Sequence, residues 1–377
     1  MPFLRLPVPL SKIMILITIN GLSVGANSCM YKAFLTPVFL LGFLATLTSC
    51  MDENNADDPA ADEVNLYSSR HYDTDQALYD NFTEATGIKV NLIEAGADEL
   101  IARIQSEGVS SPADLLVTVD AGRLWRAEQE GIFQPINSAL LADRLADNMR
   151  HPEGLWIGLS KRARVIVYNR AAGIPEPLAT YADLANPAHQ GKVCIRSSSN
   201  IYNISLMASI VARNGEAAAE EWAAGVVANF ARTPQSNDTG QIRAVASGEC
   251  GIAIANTYYL ARLAASEDPQ DQAVASAVGI VFPDQGGNGT HVNVSGAGLV
   301  KTSPNTENAI RFLEYLASDE AQLLFANGNY EYPAVPGLAA TSAVVALGDF
   351  AEDALNISEL GVNQAAALKV FDRAGWK

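Results

Sequence analysis

The chain has 377 residues, 49% of them apolar, with 25 basic and 42 acidic side chains and a net charge of −17. This is the composition of a folded globular protein rather than a disordered one, and the length suits two domains. So acidic a surface argues against nucleic acid or an anionic membrane as partner, because both need basic patches.

The charge is unevenly placed. Residues 1–49 hold Arg5, Lys12 and Lys32 and no acidic residue, so the remainder carries 22 basic against 42 acidic side chains, a balance of −20. "MYKAFLTPVFLLGFLATLTSC" (30–50) combines an early Lys, an apolar run from Ala33 to about Leu47 and small residues before Cys50. That is the layout of a secretory signal. "LTSC" (47–50) also resembles a bacterial lipoprotein box, which makes Cys50 the candidate lipidated residue, with a soluble secreted form as the alternative. Residues 1–29 do not fit such a signal, whereas Met30 opens one cleanly, so the start at Met1 reads as over-extended. "GLSVG" (21–25) matches the G-x-S-x-G nucleophile elbow, but it lies upstream of the expected cleavage point with no preceding domain to hold a triad. We read it as chance. The acidic stretch 51–63, "MDENNADDPAADE", has too little apolar surface to order itself and is expected to be a solvated spacer.

From residue 64 strands alternate with amphipathic helices. "VNLYSS" (64–69) reads as a strand. Thr74 is the expected cap of a helix whose Ala77, Leu78, Phe82 and Ala85 recur at helical spacing until Gly87. "IKVNLIEA" (88–95) alternates at period two, a helix is expected near 98–107, and "DLLVTV" (114–119) suits a strand covered on both faces. This βαβαβ rhythm predicts a mostly parallel sheet flanked by helices. "ARVIVYN" (163–169) is the next strand, followed by a Pro-rich break. The rhythm resumes with "VCIRSS" (193–198), helices near 203–213, 216–230 and 238–247, and the strand "GIAIA" (251–255). A strand, a Gly-rich turn and an extended run occupy 278–300, and helices dominate thereafter. Cys194 and Cys250 each open a short apolar run; in an oxidising compartment this pair suits a disulfide, two buried thiols being the alternative.

Open α/β sheets bind ligands where strands run into helices. "SSRHYD" puts His71 and Tyr72 at the first such junction, "RSSSNIYN" puts Tyr202 at another, and "IANTYYLAR" puts Tyr258 and Tyr259 at a third. Taken singly, a tyrosine there ordinarily packs its ring and bonds its hydroxyl. Taken together, four phenols and an imidazole would be grouped by this fold. No carboxylates converge comparably, and no Cys/His spacing suits zinc. Free phenol titrates near pH ~10, but a highly charged cation favours phenolate, a hard anionic donor matched to Fe³⁺. Several phenolates on Fe³⁺ leave no net positive charge, so guanidinium groups would help; Arg162 and Arg262 are the candidates, the latter at i+4 from Tyr258.

At these residues the chain resembles bacterial ferric-ion-binding proteins, the solute receptors of ABC iron importers (the FbpA/FutA type). "SSRHYDTD", "IRSSSNIYN", "NDTGQIRAVASGECGIAIANTYYLARL" and the ending "LKVFDRAGWK" carry the likeness, over about 64–377. It implies an α/β fold of two lobes around a cleft, joined by crossing hinge strands: the type II periplasmic-binding-protein fold. It further implies Fe³⁺ cargo (Fe²⁺ being the alternative), an ABC transporter permease as partner, and a monomer without enzymatic activity. The location implied is the periplasm or the outer face of the cytoplasmic membrane; the lipid anchor on Cys50 rests on the lipoprotein-like box, with the soluble form still the alternative. By position, Tyr258 and Tyr259 match the paired tyrosine ligands, Tyr202 the single tyrosine of that lobe, and His71 with Tyr72 the His-Tyr pair of the other, His71 being either a ligand or only a neighbour of the metal. Arg162 and Arg262 match basic residues near the metal. Some members add a Glu ligand and a phosphate or carbonate; the extra phenol and the arginines here imply an anion-free site. The lobes implied are 64–165 plus 290–345 and 166–289 plus 346–377, with 163–169 and 290–300 as the hinge. The competing readings are a receptor for an organic cation such as thiamine or for an oxyanion, and a cleft hydrolase, for which no Ser/His/Asp arrangement survives processing.

Overall fold

A computed structural model describes residues 62–235, 237–339 and 342–377. Residues 1–61, with the expected export segment and Cys50, lie outside the described part. Among the described residues ten strands make one sheet: β1 (Glu63–Ser68), β2 (Lys89–Glu94), β3 (Leu115–Thr118), β4 (Phe133–Gln134), β5 (Trp156–Asn169), β6 (Val193–Cys194), β7 (Ile252–Asn256), β8 (Val278–Val281), β9 (Val292–Val300) and β10 (Tyr332–Pro333). The order is β2-β1-β3-β9-β5-β7-β6, with β4 beside β9 and with β8 and β10 beside β5.

The expected βαβαβ opening is present, but the sheet as a whole is not mostly parallel: only β1–β2, β1–β3 and β6–β7 pair that way, because β5 and β9 run antiparallel to their neighbours. β1 pairs in parallel with β2 and β3, and the helices Gln76–Thr86 and Ala97–Glu107 make the crossovers. β3 is buried along its whole length, which explains its unbroken apolar run. The first of these helices starts differently from the sequence expectation. A 3₁₀ turn, Asp73–Asp75, precedes it, and Thr74 caps nothing: its hydroxyl donates to Asn329 Oδ1 at 3.0 Å. A tertiary partner outcompetes the local cap. The expected stop is kept, Gly87 adopting the left-handed φ of 76° that a C-cap requires. The two helices expected at 203–213 and 216–230 are present within Ile201–Ala228, separated at Gly215, whose φ of 78° and ψ of 164° are not helical.

β5 decides the architecture. It begins at Trp156, well before the expected 163, and runs for 14 residues. From Trp156 to Ala163 it pairs antiparallel with β9; from Arg164 to Tyr168 it pairs with β7, and from Ile166 to Asn169 with β8. One strand therefore serves both halves of the sheet, changing partner between Ala163 and Arg164. Each half has a core of its own, and a third buried cluster runs across both, from Tyr67 and Leu116 to Val165 and Ala253. Leu66, Leu78, Phe82, Leu115, Leu299 and Phe312 belong to the first. Ile166, Leu206, Trp222, Ile254, Phe371 and Trp376 belong to the second, where the C-terminal helix Gln364–Ala374 packs against Ile201–Ala228. Among the described residues no helix is long and apolar enough to cross a membrane.

Cys194, at the end of β6, and Cys250, just before β7, form a disulfide 56 residues apart in sequence. Closing a loop of that size removes unfolded-state entropy worth about 4 kcal/mol in the chain-entropy account. A Cys194→Ala/Cys250→Ala variant is expected to unfold about 2–4 kcal/mol more readily in a denaturant titration, and added reductant should leave that variant unchanged while destabilising the parent toward it.

Candidate metal centre

Two helix N-termini belonging to the β7 half carry three of the phenols. β7 runs without a loop into the helix Thr257–Ala265, so Tyr258 and Tyr259 occupy its first turn. Tyr202 occupies the first turn of Ile201–Ala228. A buried cluster centred on Arg164 of β5 holds these starts together. Its guanidinium pairs with Asp238 at 3.1 Å and donates to Asn256 Oδ1 at 2.9 Å and Asn203 Oδ1 at 2.6 Å. Asp238 also accepts from the Asn256 backbone N–H at 2.9 Å, so the residues just before Tyr258 and just after Tyr202 are fixed to one cation. The result is that the Tyr258 hydroxyl donates to the Tyr202 hydroxyl at 3.3 Å. The Tyr258 and Tyr259 rings lie 4.2 Å apart between centroids.

Tyr72 arrives from the other half, at the end of the segment that follows β1. Its neighbour Arg70 is buried, bonded twice to Asp75 at 2.7 and 3.1 Å and to Glu331 at 3.1 Å, with its guanidinium 4.7 Å from the Tyr72 ring centre. Burial alone would raise the Glu331 carboxyl, but Arg70 and Arg162 hold it below the usual range. Arg262 joins the halves, its guanidinium 5.0 Å from the Tyr72 ring and 4.9 Å from that of Tyr258. Arg162, from β5, lies 5.5 Å from the Tyr202 ring and Arg196 5.4 Å from it.

The electrostatics follow from this grouping. Burial pushes the Tyr258 phenol well above its ordinary value, and Tyr202, Tyr259 and Tyr72 push it further, with Arg162 opposing. Burial also raises Tyr202, against the pull of Arg162, and raises Tyr72, with Glu331 adding to the rise and Arg70 opposing it. Without cargo these phenols are neutral. Each would resist ionising beside another ionised one, and only a strongly positive guest reverses that.

The structure thus brings Tyr72, Tyr202, Tyr258 and Tyr259 together with Arg162 and Arg262. His71 is different. It is exposed, on the rim of a surface recess shared with Tyr72, Asp73 and Glu94, and among the described residues its side chain has no hydrogen bond or ion pair. No group of three or more His, Cys, Asp or Glu side chains among the described residues could hold a metal, so carboxylate or thiolate sites do not compete.

The model of the family described as bacterial extracellular solute-binding protein matches residues 110–347, more than half of the chain. The chain belongs to that family. This solute-binding protein is 53% identical over 337 residues to Iron uptake protein A1 of Synechocystis, covering 88% of this chain and 93% of that one. It is 27% identical over 322 residues to the major ferric iron-binding protein of Neisseria meningitidis serogroup B, covering 85% and 95% respectively. Among solved structures, FutA (IdiA) of Trichodesmium in complex with iron and citrate is 58% identical, with a TM-score of 0.82 over 84% of this chain and all of that one. The solute-binding protein accordingly has the two-lobed α/β fold of periplasmic binding proteins.

Sequence reasoning passed over Arg164, Asp238, Arg70 and Glu331. Arg164 was within reach: "KRARV" places Arg162 and Arg164 two apart on a strand, hence on one face, and both address the helix that carries Tyr202. Glu331 lies 261 positions from Arg70, and no local signal joins them. Arg164→Leu leaves buried Asp238 short of its main partner; unfolding is expected to become about 3–5 kcal/mol easier, as read by denaturant titration.

Proposed function

We propose that this solute-binding protein is an extracytoplasmic receptor for ferric iron that hands its cargo to an ABC transporter permease after the two lobes close. The observation that carries this reading is the convergence of four phenols from both halves of the sheet, with arginines against their rings and, among the described residues, no competing carboxylate cluster. The iron uptake and ferric iron-binding names of the relatives point the same way. Tyr202, Tyr258 and Tyr259 would take Fe³⁺ first, since they share one half of the fold. Tyr72 would then arrive from the other as the cleft shuts, with His71 adding its imidazole last from the rim. Arg162 and Arg262 offset the charge of the phenolates. A closed, loaded form is the state a permease would recognise, and binding stabilises it as a population shift. We further propose that the lobes divide at the partner change in β5, that Cys50 carries a lipid, and that the mature protein acts as a monomer outside the cytoplasm.

Protein spanning residues 51–377 and loaded with Fe³⁺ is expected to be orange-red, with an iron-to-protein ratio near one from phenolate charge transfer at a single site. Tyr258→Phe/Tyr259→Phe should lose both colour and iron; retained iron in that variant would refute these ligands.

A second test uses pH. Burial raises the phenols, so the metal-free site is protonated and each phenolate formed on binding releases a proton. Affinity must therefore rise with pH. In competition with a chelator whose own pH dependence is known, iron retention should fall steadily as pH drops, by more than tenfold per unit where two or more protons are taken up. A flat profile would contradict phenolate ligation.

A further inference from the structure

Asp120 follows β3 in the first half of the sheet and caps the helix Ala121–Gln129, accepting from the Gly122 N–H at 2.8 Å. Its carboxylate is wholly buried, and its contacts extend well beyond the cap. Oδ1 also accepts from the hydroxyl of Ser205 at 2.8 Å, and Oδ2 from Asn293 Nδ2 at 2.9 Å, with the Arg162 guanidinium 3.9 Å away. Ser205 is itself buried and belongs to the second half: it lies in the helix Ile201–Ala228, three residues and about one turn beyond Tyr202. The Asp120–Ser205 bond therefore spans the two halves, fastening the helix that carries one phenol to a carboxylate rooted beside β3. Arg162 completes the arrangement. It donates to Ser295 Oγ at 3.1 Å and to the Val119 carbonyl in the first half, and lies over the Tyr202 ring of the second.

We propose that Ser205 and Asp120 form an interlobe latch, a positioning pair that touches no cargo and sets how long the closed receptor retains it. This rests on the iron-receptor reading above. The physical basis is selective. Asp120 keeps Gly122, Asn293 and the Arg162 charge within its own half, so it stays satisfied when the halves part, whereas the Ser205 bond exists only when they meet. A hydrogen bond to a charged acceptor is net favourable, and one made in a single state shifts the population toward that state. Because Ser205 and Tyr202 share a helical face near one turn apart, holding the first holds the second in register with Tyr72.

The test compares Ser205→Ala and Ser205→Cys with the parent protein. Cysteine keeps the volume but is a weak donor, so it separates a hydrogen-bond role from simple packing. Both variants are expected to release Fe³⁺ into excess chelator about tenfold faster, equivalent to about 1.4 kcal/mol. The visible band should stay at the parent wavelength, since the ligands are unchanged. Metal-free variants should give a larger radius of gyration in small-angle scattering, with thermal midpoints close to the parent's. Unchanged release together with unchanged scattering would overturn the latch. So would restoration of the parent rate by Ser205→Cys, which would assign Ser205 to packing alone. Should the parent itself show no iron–phenolate band, the receptor reading fails, and the scattering comparison still decides whether Ser205 holds the halves together.

Discussion

A group of phenols crowded together, one buried and three half-buried, is most stable while the phenols are neutral. Tyr258 is nearly inaccessible, and ionising any one member raises the cost of ionising the next. Most of the surrounding structure follows from that constraint. Arginines are stacked against the rings rather than paired with the hydroxyls, so they lower the cost of an eventual phenolate without satisfying it in advance. Such a site can take a highly charged cation only by giving up phenol protons, and the arginines then balance the phenolates that form.

Holding those rings in place needs cations inside the protein, and those cations need partners of their own. Arg164 with Asp238 fixes one pair of helix starts; Arg70 with Asp75 and Glu331 fixes the approach to Tyr72. Buried ion pairs are weak evidence for stability, but each guanidinium here donates several bonds in a planar fork, which defines the geometry of the backbone it grips. β5 supplies both Arg162 and Arg164, one on each side of its change of partner. The strand that joins the halves thus also carries the groups that arrange the phenols, so that on the proposed reading hinge and site are mechanically one object.

Much of this was legible in the sequence because the signals are local. The parallel opening, the buried run of β3, the Gly87 stop and the place of Tyr258 and Tyr259 directly after β7 depend on periodicity and on which residues tolerate a given φ/ψ. The errors lie where a distant partner intervened. Thr74 gave up its expected cap for Asn329, and the early part of β5 went unseen because "WIGLSKR" lacks an apolar alternation strong enough to mark a strand until β9 pairs with it.

The sequence alone determined the inventory: four tyrosines and a histidine near strand-to-helix junctions, an acidic chain, the Cys194/Cys250 pair and the α/β rhythm that sorts them. Those are properties of short windows, where side-chain spacing maps directly onto one face of a helix or strand. Tertiary structure alone decided which groups meet. It put Tyr202 against Tyr258, left His71 on the rim, and joined Arg70 to Glu331 and Asp120 to Ser205, because such contacts depend on how whole elements pack, and packing is set by the sum of many burials that no single window contains.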